Sequence, residues 1–460
     1  MTAGAPEGRP APASPAVLVP GLLAMTAPLV VSFWMRSLFT FVDTWYASFL
    51  SDAAVAAIGL SFPFEFLMIA VWVGLSTGLT SNFSRAMGAR EEVKLRQYLE
   101  ASWRLVLLCV PAFSLVGAGC WVFAGRLSPD REVAHQFAIY GSTLIAGSAF
   151  TLFWSVLPDS IVKAHGDTRA TMWAGIWSNV INVALNTVFT FVLHWGVFGI
   201  AFSTVLGRFG GLVYTLRKAS AHERARAARN EPAVPGRDPR PYRALFALAV
   251  PSALSYVLMA SETGVVNWLL KGLEHGKEAL AAYAIFYRVY QFVVMPAIAA
   301  SIAMLPFAAR RFGQKDVAGV RTGLREVEGA GLVYLLAATP VIYLAAGPLA
   351  RHMSESPVTV ALLVPALRWI PAVALLSIPF FLCRPVFEGM GRGRPGLVMS
   401  TVRYAVLAAP LAWAGLRVAP AIGVSGVLGI VFGLGLAGAA CSAAFVIWTR
   451  IALRTVEVGS

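Results

Sequence analysis

Blocks of about twenty or more consecutive apolar residues recur along this chain, and roughly twenty residues at about 1.5 Å of rise each are what a helix needs to cross a bilayer core. Twelve such blocks are read, at residues 17–44, 54–80, 105–124, 134–158, 170–193, 196–216, 244–270, 279–306, 327–350, 358–383, 396–416 and 421–450. They lack the alternation of apolar and polar residues over about ten positions that marks strands of a membrane barrel. The predicted fold is therefore an all-α integral membrane bundle of twelve transmembrane helices. With 58% hydrophobic and 13% charged residues, the chain has too little polar surface to be a soluble domain.

A net charge of +14 would suggest a nucleic-acid partner in a soluble protein. Here Lys and Arg cluster in alternate connections: Arg85, Arg90, Lys94 and Arg96; Lys163 and Arg169; Arg217 to Arg243; Arg310, Arg311, Lys315, Arg321 and Arg325; Arg392 and Arg394. The opposite connections hold only Arg126, Arg131, Lys271, Lys277, Arg351 and Arg417. That asymmetry predicts a multi-pass protein of the inner (plasma) membrane with both termini cytoplasmic. The positive charge is then an orientation signal and a contact for lipid headgroups, and no nucleic-acid partner is expected.

Residues 1–16, rich in Ala and Pro, read as a disordered cytoplasmic tail without a signal-peptide cleavage pattern. The lobes that follow are placed at 17–217 and 244–452, separated by a cytoplasmic linker at 218–243, with a short tail at 453–460. Cys109, Cys120, Cys383 and Cys441 sit in apolar spans without CxxC spacing, and none of the six His residues pair at i,i+4. No structural metal, cofactor or disulfide framework is expected.

The linker divides the spans six and six, which invites a search for a repeat. Shifting the first half by 225 residues lays AAVAAIGLS at Ala53 and RAMG at Arg85 on EALAAYAIF at Glu278 and RRFG at Arg310. The same shift lays Ala164–Arg169 on Gly389–Arg394, and nearly the same shift sets Pro28 against Pro251. With an even number of spans per half, the lobes should be related by a pseudo-two-fold axis along the membrane normal, leaving a cleft suited to alternating access.

An ionisable group at helix-centre depth costs about 2.5 to 3.5 kcal/mol on the translocon scale, so each needs a partner or a purpose. Arg36 and Glu65 lie near the middles of adjacent spans, as do Glu262 and Arg288. One buried Arg–Glu pair per lobe is predicted, with the sign swapped between repeats. Glu65 and Glu262 are then either mutual neutralisers or, for Glu262, part of a second cation or substrate site. Arg368 is a further intramembrane base, and the i,i+4 pairs Asp159–Lys163 and Arg384–Glu388 read as surface ion pairs at the ends of equivalent helices.

Asp43 has no basic residue placed beside it, since Arg36 is about 10 Å away along the same helix. It is either an unpaired acid poised to bind a proton or a wet group at the headgroup level. Asn179, Asn182 and Asn186 align on one face of the fifth span, as interhelical hydrogen-bond glue or as a polar face toward Asp43. Thr204 in the sixth span adds a hydroxyl, and Pro28 should bend the first helix.

The pattern APLVVSFWMRSLFTFVDTWYAS, the segment AAIGLSFP, the RAMGA and HGDTR turns, and NVINVALN followed by GVFGIAFSTV together resemble the multidrug and toxin extrusion (MATE) transporters. The resemblance runs from about Val17 to Arg450, and the N-terminal lobe looks most like the DinF-like branch. It implies two six-helix lobes and export of lipophilic, often cationic compounds by antiport with protons or sodium. On this resemblance Asp43 matches the coupling aspartate, Pro28 the bending proline, and Asn182 and Thr204 members of the N-lobe cation site; Tyr140 resembles the tyrosine beside it, and Glu262 corresponds to a second-lobe glutamate. Asn179, Tyr140, Glu262 and Gln291 are assigned to the substrate pathway.

The DinF-like pattern carries an aspartate where this chain has Asn186, so a sodium ion at Asp43, Asn182 and Thr204 would face one carboxylate instead of two. Proton coupling is the first expectation and sodium the second. A monomer carrying a small-molecule substrate is expected, with a flippase for lipid-linked saccharides as the alternative. A membrane enzyme ranks lower, because the short cytoplasmic turns show no catalytic set.

Overall fold

In the computed structural model, residues 21–229 and 234–458 are described, apart from the side chains of Arg36, Ser37, Leu38 and Thr40. The predicted tail at 1–16 falls outside them. The described residues form twelve long helices: α1 (Leu22–Ser48), α2 (Asp52–Gly88), α3 (Glu92–Leu127), α4 (Arg131–Ala164), α5 (Thr168–Val192), α6 (Gly196–Ala228), α7 (Pro241–Lys271), α8 (Gly276–Gly313), α9 (Val317–Met353), α10 (Pro357–Gly389), α11 (Arg394–Ile422) and α12 (Gly426–Val458). Most outrun their apolar blocks, because polar first and last turns extend each helix past the hydrocarbon. Thus α6 reaches Ala228, inside the stretch read as linker, and α12 reaches Val458.

Side chains and backbone geometry show why the helices start and stop where they do. The Ser51 hydroxyl accepts from the Ala54 amide, Asp130 from the Glu132 and Val133 amides, and Asp316 from the Gly319 amide, which satisfies first-turn donors. Turns on the side carrying the basic clusters, here the basic face, repeat across the halves. Arg90 and Lys315 both adopt left-handed backbone, with φ of 59° and 61°, and Gly166 and Gly391 do so with φ of 80° and 81°. Each pair is related by the 225-residue shift. Equivalent turns fold alike, and six helices belong to each lobe.

The lobes meet closely on the basic face. A Cβ on Gly88 would collide with the Arg310 carbonyl, and one on the repeat-equivalent Gly313 with the Arg85 carbonyl, so the two helix ends can touch only as glycines. Nearby, Ser81 donates to the Glu388 carbonyl at 2.6 Å, and Ser252 to Thr77 Oγ1 at 3.0 Å. The contact continues to mid-depth, where Phe66 stacks on Tyr256 with centroids 4.9 Å apart.

Helix α1 spans both lobes. Its first half, through Leu22, Met25 and Leu29, is buried in the apolar core of α8, α9 and α10. Its second half, through Tyr46 and Ala47, packs with Ile58, Tyr140, Leu144 and Ile200 of the N-lobe. Pro28 lies within the first half, and the helix runs through it without a break.

Candidate functional site

Asp43 lies on the second half of α1 and is 3% exposed, which excludes the wet headgroup reading. Four neutral donors reach its carboxylate. Thr204 Oγ1 donates to Oδ2 at 2.7 Å and the Tyr140 hydroxyl to the same oxygen at 3.2 Å, while Asn186 Nδ2 and Asn182 Nδ2 donate to Oδ1 at 3.2 and 3.4 Å. No basic side chain forms an ion pair with Asp43 among the described residues. The carboxylate is hydrogen-bonded yet has no counter-charge in contact among the described residues.

Local packing sets these donors. Gly207 and Gly211 of α6 face α5 so closely that a Cβ at Gly207 would sit 2.6 Å from the Ser178 carbonyl, which brings the Asn stripe against Ser203 and Thr204. Asn182 Nδ2 also reaches Thr204 Oγ1 at 2.9 Å, and Ser203 Oγ donates to Asn186 Oδ1 at 2.7 Å. Asn182 Oδ1 is buried without a partner. Asn179 belongs elsewhere, because its amide donates to the Met35 carbonyl at 2.9 Å and ties α5 to α1. The stripe thus splits, with one amide as interhelical glue and two on the carboxylate.

Of the predicted Arg36–Glu65 pair, the Arg36 side chain lies outside the described residues. Glu65 is bound by Arg208 of α6, whose other nitrogen donates to Ser148 Oγ at 2.6 Å. Helix order supplies this partner: α2 packs on α4 and α4 on α6, which brings Arg208 of α6 to Glu65. Arg208 and Glu65 line the same small cavity as Asp43, with Phe39, Ile58, Phe62, Tyr140 and Thr204.

In the C-lobe the predicted Glu262–Arg288 pair does not form among the described residues. Arg288 is exposed and stands about 100° or more around α8 from the stripe of Tyr283, Tyr287 and Tyr290. The cation that acts on the half-buried Glu262 is Arg403 of α11. Gln291 and Thr263 of α7 lie beside Tyr287, so both predicted pathway residues, Glu262 and Gln291, border one polar cluster. Arg368 lies elsewhere, on the outer surface of α10, its guanidinium 4.5 Å from the Tyr343 ring centre.

The two i,i+4 pairs are present but are not surface bridges. Lys163–Asp159 closes at 2.6 Å with both side chains 7% exposed, and Arg384–Glu388 at 2.8 Å with Arg384 also donating to Ser252 Oγ at 2.5 Å. Arg384–Glu388 is packed where the lobes join, with Ser81 of α2 on the Glu388 carbonyl, whereas Asp159 takes a hydrogen bond from Thr171 of α5 and Lys163 lies over the Trp72 ring of α2. Sequence reading missed Arg208 and Arg403, although each interrupts an apolar block and carried the same signal as Arg36 and Arg288.

The fold has solved relatives. A structure reported as MATE in the bent conformation superposes with a TM-score of 0.82 over 95% of this chain and 96% of that one, at 20% identity. Among curated proteins, the probable multidrug resistance protein YoeA of Bacillus subtilis (strain 168) is 25% identical over 63% of this chain and 63% of its own length. The multidrug export protein MepA of Staphylococcus haemolyticus (strain JCSC1435) is 22% identical over 84% of each chain. The match thus spans less than two thirds of YoeA. The MatE family profile matches residues 28–188 and 251–414, one stretch in each lobe, and the chain belongs to that family of membrane transporters.

Proposed function

We propose that this protein is a secondary antiporter that exports lipophilic, cationic small molecules in exchange for protons, with both termini cytoplasmic and the basic face therefore inward. The observation that carries this reading is the environment of Asp43, a buried carboxylate held by four neutral donors on a helix that packs into both lobes. The names of the relatives, multidrug resistance and multidrug export, support the cargo class.

The chemistry follows from the donors. With Asp43 ionised, the Thr204 and Tyr140 hydroxyls both point at it. When a proton arrives on Oδ2, one hydroxyl must turn away or become an acceptor, which loosens α1 from α4 and α6. Because the first half of α1 is seated in the C-lobe core, that loosening is felt between the lobes. The closed basic face corresponds to an outward-facing state, in which cargo leaves as Asp43 takes a proton from outside. Each inward unit charge adds about 2.3 kcal/mol per 100 mV to the cycle.

Sodium is the second choice. A sodium ion needs oxygens turned inward, whereas the Asn182 and Asn186 amide nitrogens face Asp43. Uptake of a cationic dye into proteoliposomes under separate pH and sodium gradients tests the proposal. Transport driven by the pH gradient and lost in Asp43→Asn is expected, and undiminished coupled transport in that variant contradicts it.

A further inference from the structure

The C-lobe holds a charge that this antiport reading does not use. Arg403 sits in the π-helical turn Thr401–Leu407 of α11, is 6% exposed, and forms no ion pair among the described residues. Its guanidinium is packed among rings, with Phe380 at 4.5 Å, Tyr404 at 5.2 Å and Phe381 at 5.6 Å from its central carbon. Nη2 donates to Ser377 Oγ at 3.2 Å, the same oxygen that the Tyr290 hydroxyl reaches at 3.3 Å. Nη1 is buried with no partner.

A guanidinium has five donors in a fork shaped for a carboxylate, and leaving one such nitrogen dry and unbonded is costly. Aromatic faces hold the cation in place without neutralising it. Space for the head is kept by Gly438 of α12, where a Cβ would come 3.0 Å from Ser377 Oγ and 3.5 Å from Arg403 Nη2. Glu262 acts on Arg403 electrostatically but lies outside ion-pair distance. The 225-residue shift sets Arg403 on Ser178, so the C-lobe carries a fixed cation where the N-lobe has a neutral residue beside its Asn stripe.

We propose that Arg403, with Ser377 and the surrounding rings, is a subsite for a carboxylate on an aromatic cargo molecule. The aromatic body stacks beside Tyr404 and Phe380, the carboxylate takes Nη1, and Glu262 across the cluster faces a positively charged part of the same molecule. The proposal rests on the transporter reading for its cargo, but its test is equilibrium binding without any ion gradient.

The probes are rhodamine 110, which carries a free carboxylate, and its methyl ester rhodamine 123, titrated against purified protein by fluorescence anisotropy. The wild-type protein should bind the acid about tenfold more tightly than the ester. Arg403→Gln should remove that preference, and Arg403→Lys, which keeps the charge, should retain part of it. Retention in Arg403→Lys separates loss of the subsite from unfolding, and Gly438→Ala should weaken the acid selectively. Absence of acid binding in the wild type, no acid preference there, or a preference that survives Arg403→Gln overturns the proposal. Failure of ester transport under a pH gradient instead strikes the antiport reading and leaves the binding result standing.

Discussion

The two lobes share turns, glycines and helix order, yet they bury opposite charges. In the N-lobe a carboxylate, Asp43, is surrounded by neutral donors, and the neighbouring Glu65 is already satisfied by Arg208. In the C-lobe the buried charge is a guanidinium, Arg403, whose acid Glu262 stays at a distance. A carboxyl group can exchange a proton, whereas a guanidinium stays protonated throughout. Under the proposed antiport, the same scaffold would hold a switch in one half and a fixed charge in the other.

The largest expected effect breaks that comparison at its switch. Asp43→Asn should reduce pH-driven dye transport to the level of empty liposomes, while Glu262→Gln should leave the response to the pH gradient in place. Equal loss in both variants would mean that the lobes share the coupling role. Next comes the structural ion pair: Arg208→Met removes the described partner of the largely buried Glu65 and should cost up to about 3 to 5 kcal/mol in denaturation measurements. Arg288→Met, on the exposed face of α8, should change stability by less than about 0.5 kcal/mol.

The twelve helices, the repeat and the Asn182–Asn186 stripe were legible because each depends on local pattern or on one helical face, while the grouping of Asp43 with that stripe and Thr204 across three helices came with the family resemblance. Ion-pair partners across helices were not legible. Glu65 found Arg208 because α4 bridges α2 and α6, an arrangement that hydropathy does not contain. Asn179 shares its stripe with Asn182, yet it ends on the Met35 carbonyl, because α1 passes α5 closely at that depth. The burial of Arg384–Glu388 likewise depends on how the lobes close, and that of Asp159–Lys163 on α4 packing against α2 and α5, since spacing alone makes them look like surface pairs.

Two smaller effects sharpen the lobe comparison at the basic face. Gly88→Ala and Gly313→Ala should each destabilise the closed contact by about 1 to 3 kcal/mol, through overpacking against a backbone carbonyl. Gly59→Ala, with open space around it, serves as the control. Fluorescence quenching of a label on the basic face should report increased inward opening in the first two only.

The smallest effect concerns His165, in the turn between α4 and α5, where it bonds to Glu223 at 2.8 Å and stacks on His222. Burial pushes its pKa below the ordinary 6.5, against the opposing pull of Glu223. The fold therefore favours the neutral ring. That contribution is complete above the ordinary value and is lost as the pH falls through the lowered one. Thermal stability should drop on acidification from about pH 7 to about pH 5, and less so in His165→Gln. An equal drop in both would place the acid sensitivity elsewhere.

The most direct measurement is proton release from purified protein in weakly buffered detergent solution on addition of a cationic cargo dye. Protons should be released by the wild-type protein and by Glu262→Gln, and Asp43→Asn should release none. Release of the same size from Asp43→Asn would contradict the assignment of the switch to the first helix.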